Sequence, residues 1–465
     1  MVIKIYIPGL LALSLAAGSL VSCAGKPAVT GKEDTILKSA IEPFEKVTLK
    51  NGLDVIVKEV HTTPIVAVYL WCNTGSINES ERIHGISHFY EHMFFKGTEK
   101  RGVGEIDRAI KSLGGYNNAF TSKEYTAYYV VLPSENFSLA ADVLVDAIRN
   151  SSFPQEEIEK ELGVIKEEIN RKEDDPTGTI YEEMFKLMFA GTPYAHPVLG
   201  TKESISGITR DDFRTYLQSY YIPNNMTAVI VGDVEAKDAI REMERLTADW
   251  AGDPEVEKKL ASFSVSESDR EGIKGFELEK DVGMSYVMMT FQSDGFRDVL
   301  QNAALDVASS VLGEGKSSRL YRRLVEEEQL VSSVQAFIYP LRHSGLFVIF
   351  ATMDRGRVPA FRKAIIEEIE KLRNEPIGAA ELKKVQTMLK ADFQFSNETN
   401  ADIGYALGMY NTIGMLDRVT LYEKSIEAVT PEDVMKHARS VLDPSSYTIG
   451  VINQRIQADT EVRGE

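Results

Sequence analysis

Thr209-Arg210-Asp211-Asp212-Phe213-Arg214-Thr215-Tyr216-Leu217-Gln218-Ser219-Tyr220-Tyr221-Ile222-Pro223-Asn224-Asn225-Met226-Thr227-Ala228-Val229-Ile230-Val231 is the stretch whose reading decides the fold. It predicts a threonine-capped helix, a proline that stops it, and an apolar strand from Met226 to Val231. The same order returns between Thr430 and Ile452. At a constant offset of 221 residues, Thr209 matches Thr430, Asp212 matches Asp433, Pro223 matches Pro444 and Thr227 matches Thr448. A period this long exceeds the ~20–50 residues of solenoid repeats, so it implies two domains of one fold.

Working outward, Val47 to Val57 is two alternating runs around Asn51-Gly52, a strong hairpin signal. A further strand is expected from Ile65 to Cys72. Strands are mixed with amphipathic helices, and the clearest strand pair is a tight hairpin. This predicts an α+β fold of two similar domains, each a mainly antiparallel sheet with helices packed on it. The polar stretch Asp253 to Lys274 reads as the linker. It separates an N-terminal domain over 41–252 from a C-terminal homologous domain over 275–465.

The N-terminus has a different character. Lys4, an apolar run from Ile5 to Leu20 and small residues before Cys23 have the layout of a secretory signal. Leu20-Val21-Ser22-Cys23 resembles a bacterial lipobox. The expectation is a signal peptide over 1–22, lipidation at Cys23, and a tether over 23–40. That would place the body at a bacterial cell envelope, lipid-anchored and facing the periplasm. Cys72, the other of two cysteines, reads as a buried strand thiol, and no disulfide framework can form. With 70 acidic against 52 basic residues and no concentrated basic patch, the net charge of -18 argues against a nucleic-acid partner.

His88-Phe89-Tyr90-Glu91-His92 carries the chemistry. On a helix, His88 and His92 lie ~40° apart and Glu91 ~60° to the other side of His88. Two imidazoles and a carboxylate on one face suit one metal ion and one general base, in the inverted order of the commoner zinc motif. A third protein ligand is still needed. The acid-rich helix expected from Pro154 to Lys172 has an apolar stripe of Ile158, Leu162, Ile165 and Ile169. Glu157, Glu161 and Glu168 lie at its margin, and periodicity does not choose among them; Glu156, Glu159 and Glu167 fall on the solvated side. His84 falls on the same face as His88 one turn earlier, but Gly85 interrupts the helix and His84 is expected at the surface; His196, His343 and His437 lack ligand spacing and are expected to be surface or structural residues. Gly315-Lys316-Ser317 lacks the first glycine of a phosphate loop, since Ser310 stands there.

Residues Gly85 to Thr98 resemble the pitrilysin-type metallopeptidases, and most of all bacterial relatives of the mitochondrial processing peptidase β subunit. The likeness runs through Asn118-Ala119-Phe120-Thr121, Glu161 to Ile169, Tyr220 to Met226 and Gly315 to Leu320. It implies that His88, His92 and Glu168 bind one zinc ion per chain. It also implies that Glu91 is the general base and that Glu161 is a supporting acid. Asn118, Ala119, Phe120 and Thr121 would form a sheet edge that takes peptide substrate as an added strand. Relatives carry an Arg and a Tyr seven residues apart in the second half. Here Val325 and Ser332 stand in those places, and neither can donate to a carbonyl as Arg and Tyr would. Tyr321, Arg322 and Arg323 are nearby, but a register shift does not restore the spacing. The expectation is therefore a zinc metalloendopeptidase working in an enclosed chamber. A homologous partner subunit would complete its substrate site, in a heterodimer or a homodimer. The competing expectation is a non-catalytic assembly or peptide-binding subunit.

Overall fold

The computed structural model describes residues 40–260, 262–265 and 272–455. The signal peptide, Cys23 and nearly all of the tether lie outside the described residues. No helix among the described residues is long and apolar enough to cross a membrane.

The first half builds a six-stranded sheet from β1 (Glu45–Thr48), β2 (Asp54–Glu59), β3 (Ile65–Cys72), β4 (Tyr116–Thr121), β5 (Thr126–Pro133) and β6 (Met226–Gly232). Its order is β1-β2-β6-β3-β5-β4, which leaves β4 at an edge. The second half builds β7 (Ile273–Lys280), β8 (Ser285–Ser293), β9 (Ser333–Pro340), β10 (Gly345–Met353) and β11 (Tyr447–Gln454). These run β7-β11-β8-β10-β9. Without β1, the two orders match strand for strand. In each sheet one pair is parallel, β2 with β6 and β7 with β11, and the rest are antiparallel.

The repeated helix–proline–strand unit sits at the same place in both sheets. Thr209 caps the Arg210–Tyr220 helix and Thr430 caps Pro431–Val441, each through a reciprocal box with an aspartate, Asp212 or Asp433. Each box satisfies amide groups that a helix start leaves without an intrahelical partner. The linker expected over 253–274 includes a short helix, Val256–Lys259, and its last residues already belong to β7.

Both faces of each sheet are buried, which is why β3 and β6 read as continuous apolar runs. On β6, Ala228 and Ile230 face a core that includes the Ile86–Met93, Phe137–Asn150 and Gln155–Asp174 helices. Val229 and Val231 face the other way, with Tyr69 and Trp71 of β3, against Ile403, Leu407 and Tyr410. These three residues belong to the Asn400–Thr412 helix of the second half. The exchange is reciprocal. Ile180, Met184 and Met188, on the Pro176–Met188 helix of the first half, pack against Met288, Val348 and Ile452 of the second sheet. Close approach is built in, because a Cβ at Gly408 would lie 1.9 Å from the Trp71 indole nitrogen. At about 2 kcal/mol for each fully buried large aliphatic side chain, each exchanged helix contributes several kcal/mol to holding the halves together.

Candidate metal centre

The Ile86–Met93 helix is short, and its inner face anchors it. Ile86, Phe89, Tyr90 and Met93 are buried in the first core. Phe89 meets Phe213 edge to face at 5.0 Å, and Tyr90 packs on Tyr221 at 4.7 Å. With that face fixed, His88, Glu91 and His92 are turned toward the Gln155–Asp174 helix. That helix is held in turn by Ile158, Ile165 and Ile169.

Glu168 is the carboxylate that reaches the histidines. Its Oε2 lies 3.6 Å from His88 Nε2 and 3.6 Å from His92 Nε2. The three residues offer donor atoms within 4.8 Å of one another, the one such group of histidine, cysteine or acidic residues among the described residues. His92 Nδ1 lies 2.9 Å from Glu161 Oε2. Since a carboxylate only accepts, Nδ1 donates and Nε2 keeps its lone pair for a metal. Glu161 is also held by Lys96 Nζ at 2.6 Å. Glu157 makes no contact with the histidines and pairs with Lys160 at 2.9 Å. Glu156, Glu159 and Glu167 are exposed.

The electrostatics suit a metal. Burial, with help from neighbouring His92, pushes the His88 pKa down to about 4, so its imidazole is neutral and able to ligate. For His92 burial acts downward, but the carboxylates of Glu168 and Glu161 outweigh it and raise the pKa. Glu168 is held below its ordinary value, chiefly by His92. Two imidazole nitrogens and one carboxylate oxygen leave room for a fourth ligand, the donor set of an open zinc site. Beside it, Glu91 accepts a 2.6 Å hydrogen bond from the Thr121 hydroxyl at the end of β4. Burial raises its pKa against that bond.

Residues 54–202 match the family model described as Insulinase (Peptidase family M16), and residues 207–389 match Peptidase M16 inactive domain. The chain belongs to the M16 peptidase family. An uncharacterized zinc protease, YmxG of Bacillus subtilis, is 30% identical over 77% of this chain and 85% of its own. A probable mitochondrial-processing peptidase β subunit of Arabidopsis thaliana is 28% identical over 78% of this chain and 69% of its own. A protease from Helicobacter pylori superposes with a TM-score of 0.80 at 26% identity, covering 88% of this chain and 99% of that one.

Within this M16 chain, the segment expected to take substrate falls on β4, whose outer edge is paired with no strand among the described residues. Phe120 turns away from the histidines and packs on Trp71 and Tyr405. In the second half, Arg323 is bound by Glu328, Glu367 and Glu368, so its guanidinium is committed within its own half. Val325 lies within the π-helical turn Tyr321–Glu327, and Ser332 directly precedes β9.

The expectation for His84 is corrected. It is half-buried, its ring 3.9 Å from that of His196, because the Gly85 and Gly200 loops pack tightly around it. His437 is buried and structural, and Cys72 is a buried strand thiol as expected. Two contributors lie outside the motifs read from the sequence. Lys96 lies just past the helix end, and Glu79 sits in a loop where no periodicity marks an inward-facing residue. Lys96 stands four residues beyond His92, a spacing that could have drawn attention to it.

Proposed function

We propose that the chain is a zinc-dependent metalloendopeptidase acting on peptides or unfolded polypeptide segments. The observation that carries this is the convergence of His88, His92 and Glu168 donors beside the Glu91 carboxylate. The zinc-protease names of its relatives support the same metal. Zinc held by the three residues would polarise the scissile carbonyl and make water a nucleophile at neutral pH. Glu91 accepts the proton from the attacking water and returns it to the leaving amine. Thr121 orients Glu91, and Glu161 fixes the His92 ring and its tautomer. An extended peptide pairs with β4 at Asn118 to Thr121, where main-chain hydrogen bonds favour many sequences.

Val325 and Ser332 leave the second half without the Arg and Tyr donors, and Arg323 is already paired. A homologous partner subunit therefore supplies them, consistent with the mitochondrial-processing peptidase β subunit among the relatives. The lipobox-like Cys23 would tie the enzyme to the bacterial envelope on its periplasmic face.

Glu91→Gln is the test. The variant should keep one zinc per chain yet lose quenched-peptide turnover by about 10²–10⁴-fold, with and without a partner chain. Full turnover in the zinc-loaded variant rules the assignment out. A wild-type protein that binds a partner tightly but holds no zinc would instead favour the assembly-subunit reading.

A further inference from the structure

The helix that carries His88 and His92 is only eight residues long, and its start has no cap of its own. Gly85 stands at the N-cap with φ +94, and a Cβ there would lie 2.6 Å from the Leu199 carbonyl oxygen. The close approach of that loop demands glycine and forbids the usual Ser, Thr or Asp cap. Helix ends left without partners fray, and His88 is the third residue of this helix. Fraying of one turn would carry a ligand with it.

A carboxylate from outside the helix fills the gap. Glu79 is buried, and its two oxygens are both used: Oε2 accepts from Gly85 N–H at 2.7 Å and Oε1 from Ser87 N–H at 2.8 Å. Its charge also lies at the helix N-terminus, where the aligned peptide dipoles favour an anion. Burial pushes the Glu79 pKa up to about 7, and the hydrogen bonds from Ser87 and Gly85, with the buried Lys123 ammonium behind them, act the other way and favour the ionised carboxylate. Lys123 is in the β4–β5 turn, and the Glu79 loop is tied to that turn by backbone bonds. Ser76 N–H donates to Ser122 at 3.3 Å and Ile77 N–H to Lys123 at 3.0 Å. Gly75 makes this contact possible, since a Cβ there would sit 2.4 Å from the Ser122 oxygen. The same turn follows Thr121, which holds Glu91. One loop thus locks the first turn of the helix to the strand end that orients the base.

We infer that Glu79 is a positioning residue of the metal centre, fixing His88 and the register of the helix against β4 by bidentate capping of the Gly85 and Ser87 amides. The inference rests on the zinc peptidase reading and adds a residue to it. A glutamine cannot replace Glu79, because its amide nitrogen would face one of the two N–H donors. Aspartate keeps both oxygens but withdraws them by about 1.5 Å.

The test uses the full chain with zinc. Glu79→Gln should still take up one zinc, release it to a chromogenic chelator about tenfold faster, and lower kcat about tenfold with KM unchanged. Glu79→Asp should fall between it and wild type, and it carries the test if the glutamine variant does not fold. Hydrogen exchange supplies a readout independent of activity: amides 85–88 should lose protection in the variant while those of β3 keep theirs. Unchanged zinc release and unchanged exchange at 85–88 in a folded variant overturn the inference. If wild-type protein takes up no zinc, the peptidase reading fails separately, and the exchange experiment still decides whether Glu79 anchors the helix.

Discussion

Counted from their N-caps, Pro154 and Gly378, the Gln155–Asp174 and Ala379–Phe395 helices match Glu161 with the buried Val385 and Glu168 with Asp392, while Ile158, Ile165 and Ile169 match the buried Leu382, Leu389 and Phe393. The Val299–Gly313 helix stands in the second half where the Ile86–Met93 helix stands in the first, between the equivalents of β3 and β4, and it carries no histidine. A Cβ at Gly313 would lie 2.2 Å from the Ala336 backbone nitrogen, so this helix closes directly on β9. In the first half the equivalent space holds imidazoles, carboxylates and the Thr121 end of β4. Two sheets of the same strand order therefore differ in whether the helix closes on the edge strand or leaves space for imidazoles and carboxylates.

That contrast can be broken most severely by putting a carboxylate into the core of the second half, and tested by taking one out of the first. Leu389→Glu should lower stability by about 4 kcal/mol, from lost packing plus a charge with no partner, measured by denaturant unfolding. Glu168→Leu should leave the metal-free unfolding midpoint close to wild type while zinc stoichiometry falls toward zero. Equal stability losses in the two would mean that the halves are not specialised as described. A smaller effect is expected at Glu161. Its replacement by glutamine should weaken zinc affinity about 10–100-fold without emptying the site, read by chelator competition.

Gly408→Ala sharpens the comparison where the halves meet. Overpacking against Trp71 costs about 3 kcal/mol at so close an approach, more than the ~1 kcal/mol that alanine gains in a helix. A net loss of about 2 kcal/mol, visible in thermal unfolding, is expected. The smallest effects belong to the repeated caps. Thr209→Ala and Thr430→Ala should each cost ~1 kcal/mol, and equally, since both boxes have the same geometry.

Much of this was legible in the chain. The Thr209 and Thr430 units, the Asn51-Gly52 hairpin and β3 are local patterns, and local chemistry sets them. The histidine face followed from helical spacing, and the Gln155–Asp174 helix was readable down to its exposed acids. Periodicity could not separate Glu157, Glu161 and Glu168, because all three lie at one margin and only distance to another helix distinguishes them. The exchange of helices between halves was invisible for a related reason. An apolar stripe on Asn400–Thr412 states that a helix face is buried, not which sheet buries it. Glu79 and Lys96 lie outside regular elements, where burial leaves no sequence rhythm.

The exchanged helices also set an order of events during synthesis. Tyr69, Trp71, Val229 and Val231 form a complete sheet face once residue 232 has been made, but the helix that covers it ends at Thr412. For the whole of that interval the growing chain presents a ready-made adhesive surface. The late arrival of one helix thus leaves an apolar sheet face open to its neighbours until residue 412 has been made. Cleaving the linker in the finished protein, by contrast, would leave two fragments clasped by each other's helices.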